Sequence, residues 1–179
     1  MIRMTRFATP ALLALALALT PLASAASEAL PLQEPVAAET LSKSKQTTPG
    51  LYITAADAGR VLADNPNVAL IDVRTPSEVN LIGYATAAAA NIPSKLMDPA
   101  LSFDAKKGMY KMVDNPAFVD EMKAWLASDA AAGVDTLLVM CRSGSRSAAA
   151  ISRLVEAGVD VTLYNVVDGF EGDTNDAGA

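Results

Sequence analysis

Apolar and polar positions follow two alternating spacings along residues 51–166, and this pattern predicts strands that alternate with helices. Two almost continuous apolar runs, Val68 to Val73 and Thr136 to Met140, are typical of central strands covered on both faces. Shorter strands are predicted at 52–53, 87–92 and 161–166, and helices with one apolar face at 55–63, 115–126 and 148–157. The alternation predicts an α/β domain with a central parallel β-sheet and helices on both faces.

Capping residues indicate where the predicted helices begin and end. Thr54 is a predicted N-cap, Asn115 is another with Pro116 at the first helical position, and Gly158 ends the last helix. Pro76 begins a short helical turn. Helical spacing predicts that these side chains face the core: Phe118, Met122, Trp125, Ile151, Leu154 and Val155.

The first 25 residues have the layout of a secretory signal peptide. Arg3 and Arg6 precede an apolar run over residues 11–19, and Ala23-Ser24-Ala25 is a cleavage site of the Ala-x-Ala type. This predicts a periplasmic or secreted protein whose mature chain has no membrane span. A retained N-terminal anchor is the alternative.

The remaining residues are expected to form one domain with flexible ends. Residues 26–50 are predicted to be a flexible leader, because their composition offers little apolar surface to bury. The domain is predicted over 51–173, and 174–179 form a polar tail. The long connection 93–114, with Met109-Tyr110-Lys111-Met112, could be a lid over a site, although packing on the surface is the interpretation we prefer.

Composition excludes several kinds of chemistry. The 179 residues contain no histidine and one cysteine, which excludes Ser-His-Asp and Cys-His catalysis, an intramolecular disulfide and most zinc sites. Acidic residues outnumber Lys and Arg by 20 to 14, and the net charge of −6 does not suit binding to nucleic acid or anionic lipid. A lone cysteine in an oxidising compartment therefore needs a chemical reason.

The segment Cys141-Arg142-Ser143-Gly144-Ser145-Arg146 supplies that reason. It follows a predicted central strand at the carboxyl end of the sheet, where α/β domains bind ligands. Gly144 can adopt a positive φ, and the first N–H groups of the next helix have no intrahelical partner, so loop amides can surround the sulfur. The helix dipole and the two arginines favour the thiolate, which predicts that Cys141 is a nucleophile. The alternative is a buried structural cysteine, and the polar residues around it argue against that.

Four segments together resemble the rhodanese family: this loop, Leu70 to Arg74 with Glu78, Asn91-Ile92-Pro93, and Val166 to Asp173. The resemblance implies a thiosulfate sulfurtransferase in which Cys141 carries sulfur as a persulfide. It also implies that the loop residues Arg142, Ser143, Gly144, Ser145 and Arg146 bind a small anionic donor such as thiosulfate, and that cyanide or a thiol is the acceptor. No metal or organic cofactor is expected, since displacement at sulfur needs none.

Two other functions remain open at this stage. A cysteine-based phosphatase or arsenate reductase would place an arginine at position 147, where this chain has Ser147, and usually a histidine at the position of Met140. A non-catalytic rhodanese-like module would carry or sense sulfur, or bind a partner protein, and the absence of turnover would identify it.

Arg74 is a further candidate for substrate binding, because it follows a central strand on the side of the loop. The alternative is a structural network of Asp72, Arg74 and Glu78, since buried charges must be paired. We prefer the structural network, because side chains alternate direction along a strand.

Overall fold

The fold is that of a computed structural model, which describes residues 30–172; the predicted signal peptide and polar tail lie outside the described residues. A five-stranded sheet forms the centre, with strands β1 (Tyr52–Ile53), β2 (Val68–Asp72), β3 (Ala88–Asn91), β8 (Thr136–Met140) and β9 (Thr162–Val166). Their order is β1-β9-β8-β2-β3, and every pair is parallel. Strands β2 and β8 are buried along their whole length, as their continuous apolar sequences predict.

Four helices accompany the sheet: α1 (Ala55–Asp64), α2 (Pro76–Ile82), α3 (Phe118–Leu126) and α4 (Ser145–Glu156). The predicted N-cap Thr54 is confirmed, because its hydroxyl accepts a hydrogen bond from the Asp57 amide. Helix α3 begins later than predicted, because the Asn115 carboxamide caps the turn before it by accepting from the Ala117 amide. Helix α4 begins three residues earlier than predicted, which shortens the loop after Cys141.

Each face of the sheet has its own apolar core. Phe118 and Met122 of α3 and Ile151 and Leu154 of α4 pack on one face, and α1 packs on the other. The predicted arrangement of helices on both faces is confirmed. The prediction for Val155 is wrong, since 37% of this residue is exposed on α4. Trp125 is only partly buried against the first core.

The connection over residues 93–114, which we call the arm, contains four short strands: β4 (Lys95–Met97), β5 (Phe103–Asp104), β6 (Met109–Tyr110) and β7 (Met112–Asp114). Strand β4 pairs with β7, and β5 pairs with β6, both antiparallel. The sequence predicted no strands here. The strands are only two or three residues long, which is too short for a clear alternation of apolar and polar positions.

The part of the predicted flexible leader that the structure describes, residues 30–50, lies against the domain. Leu30 and Leu32 pack on the second core, and the Gln33 and Glu34 amides donate to the Asp57 carboxylate. The Lys45 side chain is buried and donates to the carbonyl oxygen of Val167. Residues 30–50 thus make scattered contacts with the domain although their own composition shows no periodicity, and the flexibility of the leader stays a prediction. None of the helices within residues 30–172 is long and apolar enough to cross a membrane.

Candidate active site

Cys141 lies directly after β8, at the carboxyl end of the sheet, and only 1% of it is exposed. The Gly144 amide donates to its Sγ atom at 3.2 Å, and the Ser147 hydroxyl lies 3.4 Å from it with a single proton that also has nearer acceptors. Gly144 is the N-cap of α4, so the sulfur also lies at the positive end of that helix dipole. The amide, the hydroxyl and the helix N-terminus thus direct positive partial charge toward the sulfur.

Two glycines allow the tight approach of chain segments around the loop. Gly144 has φ +93°, and a Cβ atom on it would lie 2.2 Å from the carbonyl oxygen of Val167. Gly169 has φ +63°, and a Cβ atom there would lie 2.5 Å from the Arg142 carbonyl group. Both positions therefore require glycine.

The turn after β9 is hydrogen-bonded to backbone carbonyl groups of the Cys141 loop. The Phe170 amide donates to the Cys141 carbonyl oxygen, and the Glu171 amide donates to that of Arg142, each at 2.9 Å. With those two carbonyl oxygens turned toward residues 170 and 171, the loop keeps N–H donors on the side of the sulfur. The segment after β9 and the cysteine loop, which lie far apart in sequence, are therefore in direct contact.

A buried polar network lies behind the sulfur. The Ser147 hydroxyl lies 2.6 Å from Asn165 Oδ1 and 3.0 Å from the Gly144 carbonyl oxygen, in addition to its contact with Cys141. The Asn165 side-chain amide donates to the carbonyl oxygens of Lys45 and Gly144 at 2.9 and 3.1 Å. Sequence reasoning missed Ser147, Asn165 and Lys45 as site residues, because Asn165 sits inside an apolar strand and Lys45 lies in the predicted leader.

Arg146 does not face the site as a free cation. Its guanidinium forms a two-pronged pair with the Glu78 carboxylate, with Nη1 2.7 Å from Oε2 and Nη2 in contact with Oε1. Burial raises the pKa of Glu78, but the hydrogen bonds from Arg146 and Thr75 outweigh it and lower that pKa to about 2. Burial lowers the pKa of Arg146, and pairing with Glu78 outweighs this and raises it above the usual value.

Arg142 is exposed, and within residues 30–172 it has no carboxylate within ion-pair distance. The loop sequence predicts the same role for both arginines, but the two differ. Glu78 neutralises Arg146, while Arg142 is open to solvent. A small anion that approaches the loop meets Arg142 as the uncompensated charge.

The structure does not bring Arg74 to the mouth of the site. Arg74 is fully buried, its guanidinium pairs with Asp72 and donates to the Gly83 carbonyl oxygen, and the Phe170 ring stacks on it with the guanidinium carbon 3.8 Å from the ring centroid. The geometry fits the structural interpretation for Asp72 and Arg74. Glu78 is not part of that pair, since its partners are Arg146 and Thr75.

A pocket of about 620 Å³ opens in front of Cys141, and we call it the Cys141 pocket. Its walls are the Cys141 loop, one side of α2, and the arm, with Glu171 at the edge. Four of the predicted binding residues line it: Arg142, Ser143, Ser145 and Arg146. Gly144 lies behind the sulfur, and Arg74 is absent from the lining. The arm therefore borders the site, as the lid interpretation requires, although its opening and closing stay a prediction.

Comparison with known proteins places these features in one family. The family model described as "Rhodanese-like domain" matches residues 54–176, a range that contains Cys141, its loop, Glu78 and Asn165. Among solved structures, the chain is similar to the one titled "Crystal structure of Rv0390 from M. tuberculosis", with 27% identity, a TM-score of 0.47, and coverage of 70% of this chain and 83% of that chain. Comparison with curated proteins gives no match.

Proposed function

We propose, since the chain belongs to the rhodanese-like family, that it is a sulfurtransferase that uses Cys141 as a persulfide carrier. The donor would be thiosulfate or a similar small anion, and the acceptor cyanide or a thiol. The observation that carries the proposal is the position of the Cys141 sulfur, which two hydrogen-bond donors contact from behind while a pocket opens in front of it.

In the first step, the Cys141 thiolate attacks the outer sulfur of thiosulfate. A bond forms between Sγ and that sulfur, the sulfur–sulfur bond of thiosulfate breaks, and sulfite leaves with the electron pair. The Gly144 amide, the Ser147 hydroxyl and the dipole of α4 stabilise negative charge on Sγ, which carries that charge before it attacks and again when the acceptor has removed the outer sulfur. Arg142 is suited to attracting the dianion, because Glu78 already compensates Arg146.

In the second step, the acceptor removes the outer sulfur. Cyanide attacks that sulfur, the bond to Sγ breaks, thiocyanate leaves, and Cys141 returns to the thiolate. In each step the leaving group takes the electron pair of the bond that breaks, so neither step needs an external oxidant or reductant. These residues therefore supply the nucleophile, the hydrogen bonds that stabilise its negative charge, and the positive charge that attracts thiosulfate.

The test is the intact mass of the protein after exposure to thiosulfate. We expect a gain of one sulfur atom that cyanide removes with formation of thiocyanate, and no gain in Cys141→Ser. Because Cys141 is the only cysteine, the added sulfur has one possible thiol carrier. A mass that does not change with any sulfane donor would contradict the proposal.

A non-catalytic sulfur carrier is the second candidate, because only 1% of Cys141 is exposed and this restricts the access of an acceptor to the sulfur. The two differ in turnover. Sulfite release that continues well beyond one equivalent per protein, with cyanide present, identifies the enzyme. Release that stops at one equivalent identifies the carrier.

We also propose that the protein is exported, on the basis of the signal-like sequence over residues 1–25. The expected mature protein begins near Ala26, and N-terminal sequencing of the protein recovered from the periplasm or medium tests this. Recovery of the uncleaved chain from the cytoplasm would contradict it.

A further inference from the structure

Two walls of the Cys141 pocket are apolar although they face solvent. Leu81 and Ile82 of α2 form one wall, and 86% of Leu81 is exposed. Met97, Tyr110 and other apolar residues of the arm form the opposite wall. Apolar side chains that are this exposed contribute nothing to the stability of the fold. Because they lie beside the only nucleophilic thiol, their position points to a ligand.

The pocket is much larger than thiosulfate or cyanide requires. Thiosulfate has only five atoms, whereas a volume of about 620 Å³ lies within the range of roughly 300–1,000 Å³ that is typical of sites for organic molecules. Such sites are mostly apolar and contain a few polar groups that fix orientation. The Cys141 pocket has this character, with its polar groups concentrated on the loop.

The four charged side chains that line the pocket sum to zero, although among the described residues Arg142 forms no ion pair. Arg146 is paired with Glu78, and the exposed Arg142 and Glu171 carry opposite charges at the edge. A ligand whose body carries many charges gains little here. A ligand with an uncharged apolar body and one reactive anionic atom matches both the walls and the loop.

The arm contributes three methionines to the lining: Met97, Met109 and Met112. Arg146 Nη1 lies 3.7 Å from the Met112 sulfur and holds that side chain beside the loop. Methionine is flexible and polarizable, so it can pack against alkyl chains of different shape and against aromatic rings. This wall can therefore accommodate a range of apolar groups.

We propose that the Cys141 pocket is the acceptor site and that the acceptor is an organic thiol with an apolar alkyl or aryl body; this rests on the proposed function. The donors at Gly144 and Ser147 hold Sγ from behind, so the outer sulfur of a persulfide extends forward into the pocket. The thiolate of the acceptor attacks that outer sulfur, and the bond to Sγ breaks. The organic persulfide leaves, and the electron pair returns to the Cys141 thiolate.

The test separates the two half-reactions. Protein is first loaded with sulfur from thiosulfate, and the rate of sulfur removal is then measured with ethanethiol, butanethiol, hexanethiol and cyanide. Burial of one methylene is worth about a fourfold change in an equilibrium or rate constant, so kcat/KM should rise about fourfold per added methylene until the pocket is filled. Leu81→Asn should flatten this dependence on chain length.

Leu101→Asn is the matched control. Leu101 is 61% exposed on the arm but does not line the pocket, and its positive φ is tolerated by asparagine. We expect Leu101→Asn to retain the full dependence on chain length.

Equal rates for all alkanethiols, or equal effects of the two variants, would overturn the inference while leaving the loading step, and thus the proposed function, intact. A strong preference for cysteine within an apolar peptide over every alkanethiol would also overturn it, in favour of a protein acceptor. Failure to load sulfur would instead contradict the proposed function.

Discussion

The rear and the front of Cys141 are built in opposite ways. Behind the sulfur, Ser147 and Asn165 are completely buried polar side chains, and each has several hydrogen-bond partners. In front of it, Leu81 and Tyr110 are apolar side chains that stand largely in solvent. The usual distribution of polar and apolar residues is thus reversed around this one atom.

The difference indicates which side is fixed and which can change. Buried polar groups are costly to leave without partners, so a substitution in the rear network disturbs several bonds together. Exposed apolar groups contribute little to stability, so the front can vary without loss of the fold. Under the proposed function, the rear would stabilise charge on the sulfur, and the front would select the molecules that reach it.

The largest effect on stability is expected from Gly144→Ala at the rear. Its Cβ atom would overlap the Val167 carbonyl oxygen, and alanine is strained at φ +93°. We expect the free energy of unfolding to fall by about 3 kcal/mol or more, because the clash adds to the cost of a positive φ. Urea denaturation measures this.

Gly108→Ala is the control: φ is +64° there but no atom lies within 4 Å, so a loss of only about 1 kcal/mol is expected. Equal losses for the two variants would show that the contact with Val167 is not tight.

An intermediate effect is expected at the border of the two regions, where Glu78 pairs with Arg146. The folded-state pKa of Glu78, about 2, is below its ordinary value of 4.5. A lowered pKa contributes stability that is fully present above the unfolded-state value and is lost as the pH falls toward the folded-state value. Between about pH 6 and pH 3, the wild-type protein should therefore lose on the order of 1 to 2 kcal/mol through this carboxylate.

Glu78→Gln removes that titration, so its stability should fall less on acidification than that of the wild type. Urea denaturation at each pH gives the difference. Glu156→Gln, at an exposed position on α4, is the control and should follow the wild type. Parallel curves for all three proteins would contradict the role of the Glu78 pair.

The smallest effect on stability is expected for Leu81→Asn at the front. Because 86% of this residue is exposed, its replacement should change the free energy of unfolding by less than about 0.5 kcal/mol. Thermal and urea denaturation both test this. A large loss would mean that Leu81 supports the fold, and the contrast between front and rear would not hold at this position.

Local sequence patterns were sufficient for the frame of the fold and the centre of the site. Strand β8, the loop that begins at Cys141 and the positive φ of Gly144 follow from an apolar run, a polar segment and a glycine that are adjacent in sequence. The Thr54 cap was equally local. Each of these depends on neighbours within a few residues, which is the range over which sequence spacing is informative.

The contacts that the sequence could not predict join distant parts of the chain. Glu78 and Arg146 are 68 residues apart, and Asn165 and Lys45 are 120 apart. An asparagine inside an apolar strand gives no indication of its partners, and a lysine in a segment without periodicity gives no indication of burial. The difference between Arg142 and Arg146 depends on Glu78, so adjacent sequence alone could not reveal it.

The bonds from Phe170 and Glu171 to the loop have a consequence for the chain before it is folded. The Cys141 carbonyl oxygen finds its partner 29 residues later, and Asn165 comes from β9, the last strand along the described part of the chain. An unfolded chain has neither contact, and Gly144 then has nothing to hold it against the sulfur. We expect the Cys141 loop to gain these contacts only when β9 docks, so that the thiol of the unfolded chain lacks the surroundings that the folded protein gives it.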